Sequence, residues 1–168
     1  MASLGHAAVG LFLGRAARPG VTLRERAWPM LGFATLALAP DLDAIGFMLG
    51  VPYAAEWGHR GAAHSLLLAL VVGALVGLAA RSWRMGLLAI VALGSHGLLD
   101  ALTDGGLGVA LYWPFDLTRH FFSWRPIPVA PIGAGFLSWR GLRCALFELV
   151  AFAPAWLAAL WPKPTRPA

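Results

Sequence analysis

Six ionisable side chains stand inside or beside apolar runs: Asp41, Asp43, His59, His64, His96 and Asp100. An ionisable group at membrane depth costs about 3 kcal/mol or more, so six in one short chain point to a site. His96 and Asp100 are spaced i, i+4 and share one helix face. Two helical ligands grip one metal ion with that spacing in zinc hydrolases. Asp41 and Asp43 are spaced i, i+2, which sends them to opposite faces of a regular helix. Pro40 weakens the helix there, and local opening would let both carboxylates turn to one site. Broken helices at membrane depth are tolerated where they line a cavity or are buried in protein. Imidazole with carboxylate suits zinc, and also manganese or iron, one or two ions per chain. Such an ion would activate water for attack on a phosphoryl or carbonyl group. Asp41 or Asp43 could instead serve as the base for that water. Arg60, next to His59, could hold a phosphate or a developing oxyanion, or anchor to a headgroup.

These residues need scaffolding, and the composition says what kind. The chain has 168 residues, 59% hydrophobic and 12% charged, with a mean hydropathy of +0.70. That excludes disorder, and the lone Cys144 excludes a disulfide-built domain. We expect an all-α polytopic transmembrane bundle, a single domain over residues 1–168, with about four spanning helices and a short N-terminal helix. The expected spans are Ala27 to Tyr53, interrupted at Pro40 to Asp43; Gly61 to Ala80; Met85 to Leu102; and Arg143 to Trp161, with Glu148 and Pro154 inside it. Leu4 to Ala17 is too short to span upright. Gly14 to Arg26 reads as a basic loop and Arg81 to Arg84 as a tight turn between antiparallel helices. Thr103 to Trp139, rich in Gly, Pro and aromatics, reads as a functional loop or lid. Lys163 to Ala168 reads as a frayed tail.

The arginines set a topology. With four spans, Arg15, Arg18, Arg24, Arg26, Arg81, Arg84, Lys163 and Arg166 share one side, eight of the 13 Lys and Arg residues. The positive-inside rule makes that side cytoplasmic. The net charge of +5 comes with no basic run, so no nucleic-acid partner is expected; the arginines set topology and meet anionic headgroups. The same path carries Asp41, Asp43, His59, His64, His96 and Asp100 to the opposite face, with His6 if the first segment runs toward Arg15. In a bacterial inner membrane that face is periplasmic. Seven candidate ligands thus gather at one end, chosen without reference to the arginines.

The order of these motifs resembles the YdjM-like family of membrane-bound metal-dependent hydrolases. Gly5-His6, Pro40-Asp41-Leu42-Asp43, His59-Arg60-Gly61-Ala62-Ala63-His64-Ser65, His96-Gly97-Leu98-Leu99-Asp100, Thr103, Gly106 and Trp113-Pro114-Phe115 carry the likeness over about residues 1–116. The resemblance implies an inner-membrane helical protein with metal-dependent hydrolase activity. Ala63 departs from the pattern, where Thr is expected, and removes a hydroxyl that would orient a ligand. The remainder of the chain is read from composition alone.

Each residue also has a plainer reading. His6 could simply be solvated near the interface, Ser65 and Thr103 could be caps, and Asp104 and Asp116 should face water. His120, beside Phe121 and Phe122, is expected at the interface and off the metal. Glu148 should contact the site or pair with an arginine. A site at the membrane face reaches lipids most easily, so a phospholipid or another amphiphilic phosphoester is the expected substrate and membrane lipid the partner. The alternatives are an ion, proton or metal pathway, or a non-catalytic adaptor that a metal stabilises. No repeat halves support transport, and no Gly-x-Ser-x-Gly elbow surrounds Ser65.

Overall fold

The computed structural model describes residues 3–18 and 22–161. Lys163, Arg166 and the expected tail from Lys163 to Ala168 lie outside the described residues. Among the described residues six α-helices follow in order: α1 (Ser3–Ala17), α2 (Leu23–Leu38), α3 (Leu66–Ala79), α4 (Trp83–Ala101), α5 (Trp139–Ala151) and α6 (Ala153–Leu160). Turns of 3-10 helix cover Ala39–Leu49, Ala62–His64 and Gly133–Leu137. Among the described residues there is no strand, only two isolated bridges, Thr103 with Ile127 and Val109 with His120, that fold the long connection back on itself.

The fold is all-helical as expected, but four spans are not clearly present. Among the described residues two helices are long and apolar enough to cross a membrane, Arg24–Leu49 and Trp83–Ala101, and a third counts only if the bent pair Trp139–Ala151 and Ala153–Leu160 is one span. The physical reasons are local. Gly61 to His64 turns before the helix begins, so α3 keeps 14 residues, about 21 Å of rise against a hydrocarbon core of about 30 Å. The C-terminal segment is broken by a 65° bend, where Pro154 cannot continue the helix before it and opens α6 instead. The expected basic loop also shrinks. α1 runs through Gly14 to Ala17, and α2 starts on a capping box in which Thr22 and Glu25 satisfy each other's backbone N–H groups.

α1 with α2, and α3 with α4, form two hairpins stitched through glycines. A Cβ on Gly14 would lie 2.4 Å from Met30 Cα, and one on Gly77 would lie 3.0 Å from Gly86 Cα. Small residues let membrane helices approach this closely. Leu13, Phe33, Ala37, Ala89 and Ala92 make the shared core of α1, α2 and α4. The rest of the burial is inverted relative to a soluble protein. The largest fully buried side chains are Arg60, His6, His59, His64, His96 and Glu148, while Leu70, Leu75, Leu78, Leu87, Leu142 and Leu157 are exposed. An apolar exterior around a polar interior suits a lipid solvent.

Charged side chains from one helix finish the ends of another. The Glu148 carboxylate on α5 accepts the Leu4 and Gly5 N–H groups at 2.8 and 3.1 Å, capping the start of α1. At the other end of α1, Arg84 donates to the Ala16 carbonyl at 2.6 Å. Arg15 donates to the Ala159 carbonyl at the end of α6. Arg15, Arg84 and the end of α6 therefore share one end of the bundle, and the 3-10 turns that carry the candidate ligands share the other.

Candidate metal centre

The site is built where α2 changes register. From Ala39 the chain winds as a 3-10 helix opened by Pro40. At about three residues per turn, positions i and i+2 lie about 120° apart, not the 160° of an α-helix. Asp41 and Asp43 consequently reach two sides of one ring, His64. The change also frees a carbonyl. A 3-10 register would pair the Ala37 carbonyl with the N–H of residue 40, which as a proline has none. His96 Nδ1 donates to it instead, at 2.7 Å.

That bond leaves His96 Nε2 with its lone pair facing the centre. His64 is set the same way, with Nδ1 3.1 Å from Asp43 Oδ2. The two Nε2 atoms then lie only 3.0 Å apart. Asp41 Oδ1 is 3.6 Å from His64 Nε2 and 3.4 Å from His96 Nε2. Asp100 Oδ2 is 3.6 Å from His64 Nε2. Asp41, His64, His96 and Asp100 each offer one donor atom, all within 4.8 Å of one another. Donors about 2.0–2.1 Å from one tetrahedral zinc stand about 3.3–3.4 Å apart, inside the observed range. Neither Asp41 oxygen has a hydrogen-bond partner, although both are buried. Four lone-pair donors facing one point, with a buried carboxylate otherwise unsatisfied, fit a cation and would repel without a cation or a proton between them.

A second group of three, Asp43, His59 and His64, shares His64 with the first. Here Asp43 acts as a hub. Its Oδ1 is 2.6 Å from His59 Nδ1, and its Oδ2 accepts the Arg60 backbone N–H at 3.0 Å as well as facing His64 Nδ1. Both oxygens are thus engaged by ring and backbone donors.

Arg60 is fully buried and has φ of 63°, a left-handed conformation that costs a non-glycine residue about 1–2 kcal/mol. Its Nε is 2.8 Å from Asp100 Oδ2, and Nη1 donates to the Gly105 carbonyl at 2.9 Å. Nη2 is buried without a hydrogen-bond partner. A Cβ on Gly106 would lie 2.8 Å from Tyr53 Oη and 2.9 Å from Arg60 Nη1, so this loop closes on Arg60 only with glycine there. His6 stacks on His96 with centroids 3.7 Å apart and places Nε2 3.4 Å from Asp100 Oδ1.

All seven candidate ligands, with Arg60, therefore come together at one end of the bundle. Ser65 accepts from the Leu68 N–H and caps α3. Thr103 donates to the Asp100 carbonyl at 2.7 Å and closes the end of α4. His120 lies in a separate cluster with Thr118 and Asp116, where Thr118 donates to the Asp116 carboxylate and holds its pKa below the usual range. Glu148 reaches the site indirectly, by holding α1. Arg119 was not anticipated. It donates to the carbonyls of His59, Tyr53 and Ala55 at 2.8, 2.9 and 2.9 Å, stapling the loop that presents His59. Bonds to carbonyls leave no residue-type signal in a sequence.

The chain is 44% identical to Inner membrane protein YbcI of Escherichia coli (strain K12) over 111 residues, 61% of this chain and 64% of the relative. The chain thus spans under two thirds of that relative's length. No solved structure matches it. The family model described as YdjM inner membrane protein matches residues 1–164. With apolar helices able to cross a bilayer and a family model covering nearly the whole sequence, this inner-membrane chain belongs to the YdjM inner membrane protein family.

Proposed function

We propose that the chain is a membrane-bound metal-dependent hydrolase. In this reading Asp41, His64, His96 and Asp100 hold one divalent ion, zinc foremost, with manganese or iron as alternatives. The observation that carries it is the convergence of four donors within 4.8 Å, three of them on buried residues, with His96 Nδ1 held by the Ala37 carbonyl and His64 Nδ1 3.1 Å from Asp43. Such an ion, when bound, supplies a Lewis acid and lowers the pKa of water toward neutrality.

The protein's own groups supply the rest. Asp43 fixes the rings of His59 and His64. His6 covers the face of His96. Asp41 Oδ2, buried and without a hydrogen-bond partner, is the atom we assign to take a proton from the attacking water. Arg60 is anchored through Nε and Nη1, so Nη2 remains to hold an anionic oxygen. A cationic donor beside the centre favours a phosphoester over a neutral ester. The apolar exterior favours a lipid as its carrier, and the reading takes the periplasmic face, opposite the end that carries Arg15 and Arg84, as the side of approach.

The test is metal content by elemental mass spectrometry on detergent-purified full-length protein, wild type beside H96A/D100A. One equivalent of zinc, manganese or iron, lost in the double variant, is expected, with turnover of phosphodiester substrates that follows metal loading. An intact helical fold that takes up no metal after reconstitution overturns the reading. Metal without turnover on any ester leaves a metal-stabilised adaptor.

A further inference from the structure

A cavity of about 490 Å³ lies away from the metal centre, between α5 and the connection from residue 103 to 131. Arg140, Arg143, Cys144, Leu146 and Phe147 line one wall, and Asp104, Pro128 and Val129 the other. Arg140, Arg143, Cys144 and Phe147 are spaced i, i+3, i+4, i+7 and so share one helix face. That face grades along α5 from two guanidiniums to apolar side chains.

The two guanidiniums differ from the other arginines at this end. Arg60 is taken up by Asp100 and the Gly105 carbonyl, and Arg119 by three carbonyls. Arg125 lies over the Phe121 ring at 4.8 Å. Neither Arg140 nor Arg143 forms an ion pair or hydrogen bond with another described residue. Asp104, across the cavity, accepts the Val129 N–H at 2.7 Å. Depth is marked by Trp139, which immediately precedes Arg140 and is 72% exposed. An exposed Trp at a helix end sits at headgroup level. The cavity therefore begins with paired cations at headgroup depth and becomes apolar toward the acyl region.

We propose that this cavity binds a glycerophospholipid, with the phosphodiester between Arg140 and Arg143 and the acyl chains along Leu146 and Phe147. Two guanidiniums suit a phosphodiester because each offers a planar fork of donors. The apolar part of the wall suits the chains and gives a free phosphate nothing. This site is separate from the hydrolase reading and needs no metal.

The experiment is native mass spectrometry of the full chain in detergent, titrated with dioctanoyl phosphatidylglycerol. Dioctanoylglycerol supplies the chains without phosphate, and glycerol phosphate supplies phosphate without chains. The lipid should bind at least 10-fold more tightly than either fragment, and R140Q/R143Q should remove that advantage while R125Q leaves it. The single variants R140Q and R143Q, both at exposed side chains, should each weaken binding about 3-fold or more, and they keep the test decisive if the double variant loses its helices. Equal binding of dioctanoylglycerol, or unchanged lipid binding in the arginine variants, overturns the proposal. Glycerol phosphate binding as tightly as the lipid overturns it in favour of a free-anion site.

Discussion

Asp41 and Asp43 are two residues apart, yet their surroundings assign them opposite effects on stability, and replacing each by Asn separates them. Asp43 accepts from His59 Nδ1 and the Arg60 N–H at 2.6 and 3.0 Å and faces His64 Nδ1 at 3.1 Å, and its side chain is 6% exposed. An amide in its place offers one acceptor oxygen and turns an NH2 group toward N–H donors. With those donors left buried and unpaired, metal-free D43N should lose about 1–3 kcal/mol, a fall in Tm of roughly 3–10 °C for a chain of this size. Its metal affinity should fall about 10- to 100-fold, ~1.4–2.7 kcal/mol, because the ligand rings lose their orientation but keep their nitrogens. Asp41 has no hydrogen bond on either oxygen. Metal-free D41N should therefore be as stable as wild type, or more so, since a poorly satisfied buried charge has gone. Its metal affinity should fall further than that of D43N, because a donor is lost outright. The assay is thermal unfolding of detergent-purified protein with EDTA and with added zinc, beside chelator-competition titrations. Metal at about 100 times its Kd should stabilise wild type by ~2.7 kcal/mol, and D41N hardly at all. Two results would refute this division of labour: EDTA-treated D41N as unstable as D43N, or D43N losing metal as completely as D41N.

Two other predictions concern the scaffold. E148Q should lower Tm by several degrees, from about 1–2 kcal/mol of lost charge-assisted capping at Leu4 and Gly5, and hydrogen exchange should rise first in the opening turn of α1. G14A should destabilise by about 2 kcal/mol or more, because the new methyl meets the Met30 backbone at 2.4 Å. G32A, with nothing within 4 Å of its added methyl, should instead stabilise by ~0.5–1 kcal/mol. The two unfolding curves decide whether α1 and α2 touch through Gly14.

The all-helical class, the membrane and the residues that gather at the candidate centre were legible because burying an ionisable group is so costly that its presence in an apolar run is itself a signal. The number of spans was not. Hydropathy reports what could lie in lipid, whereas Gly61 to His64 and Pro154 decide where a helix begins, and those residues cut α3 short and bend the last segment. Opening of the backbone at Pro40 was anticipated, but not how Asp41 and Asp43 divide their partners. That division rests on the 3-10 register and on which ring nitrogen each imidazole presents. Glu148 stood out as an acid in an apolar helix, but its partners are backbone N–H groups 143 and 144 positions away. Nothing in residue type encodes such a pairing.

The cap that Glu148 places on α1 also orders events during synthesis. α1 is the first of these helices to be made, and its opening N–H groups wait for a carboxylate 144 residues later. At about 5–20 residues per second, the 48 positions from Asp100 to Glu148 take roughly 2–10 s to translate. Throughout that interval Asp41, His64, His96 and Asp100 are already in the chain, while the helix that carries His6 has no anchor at its start. The start of α1, and with it the position of His6 beside His96, is completed only when α5 delivers Glu148.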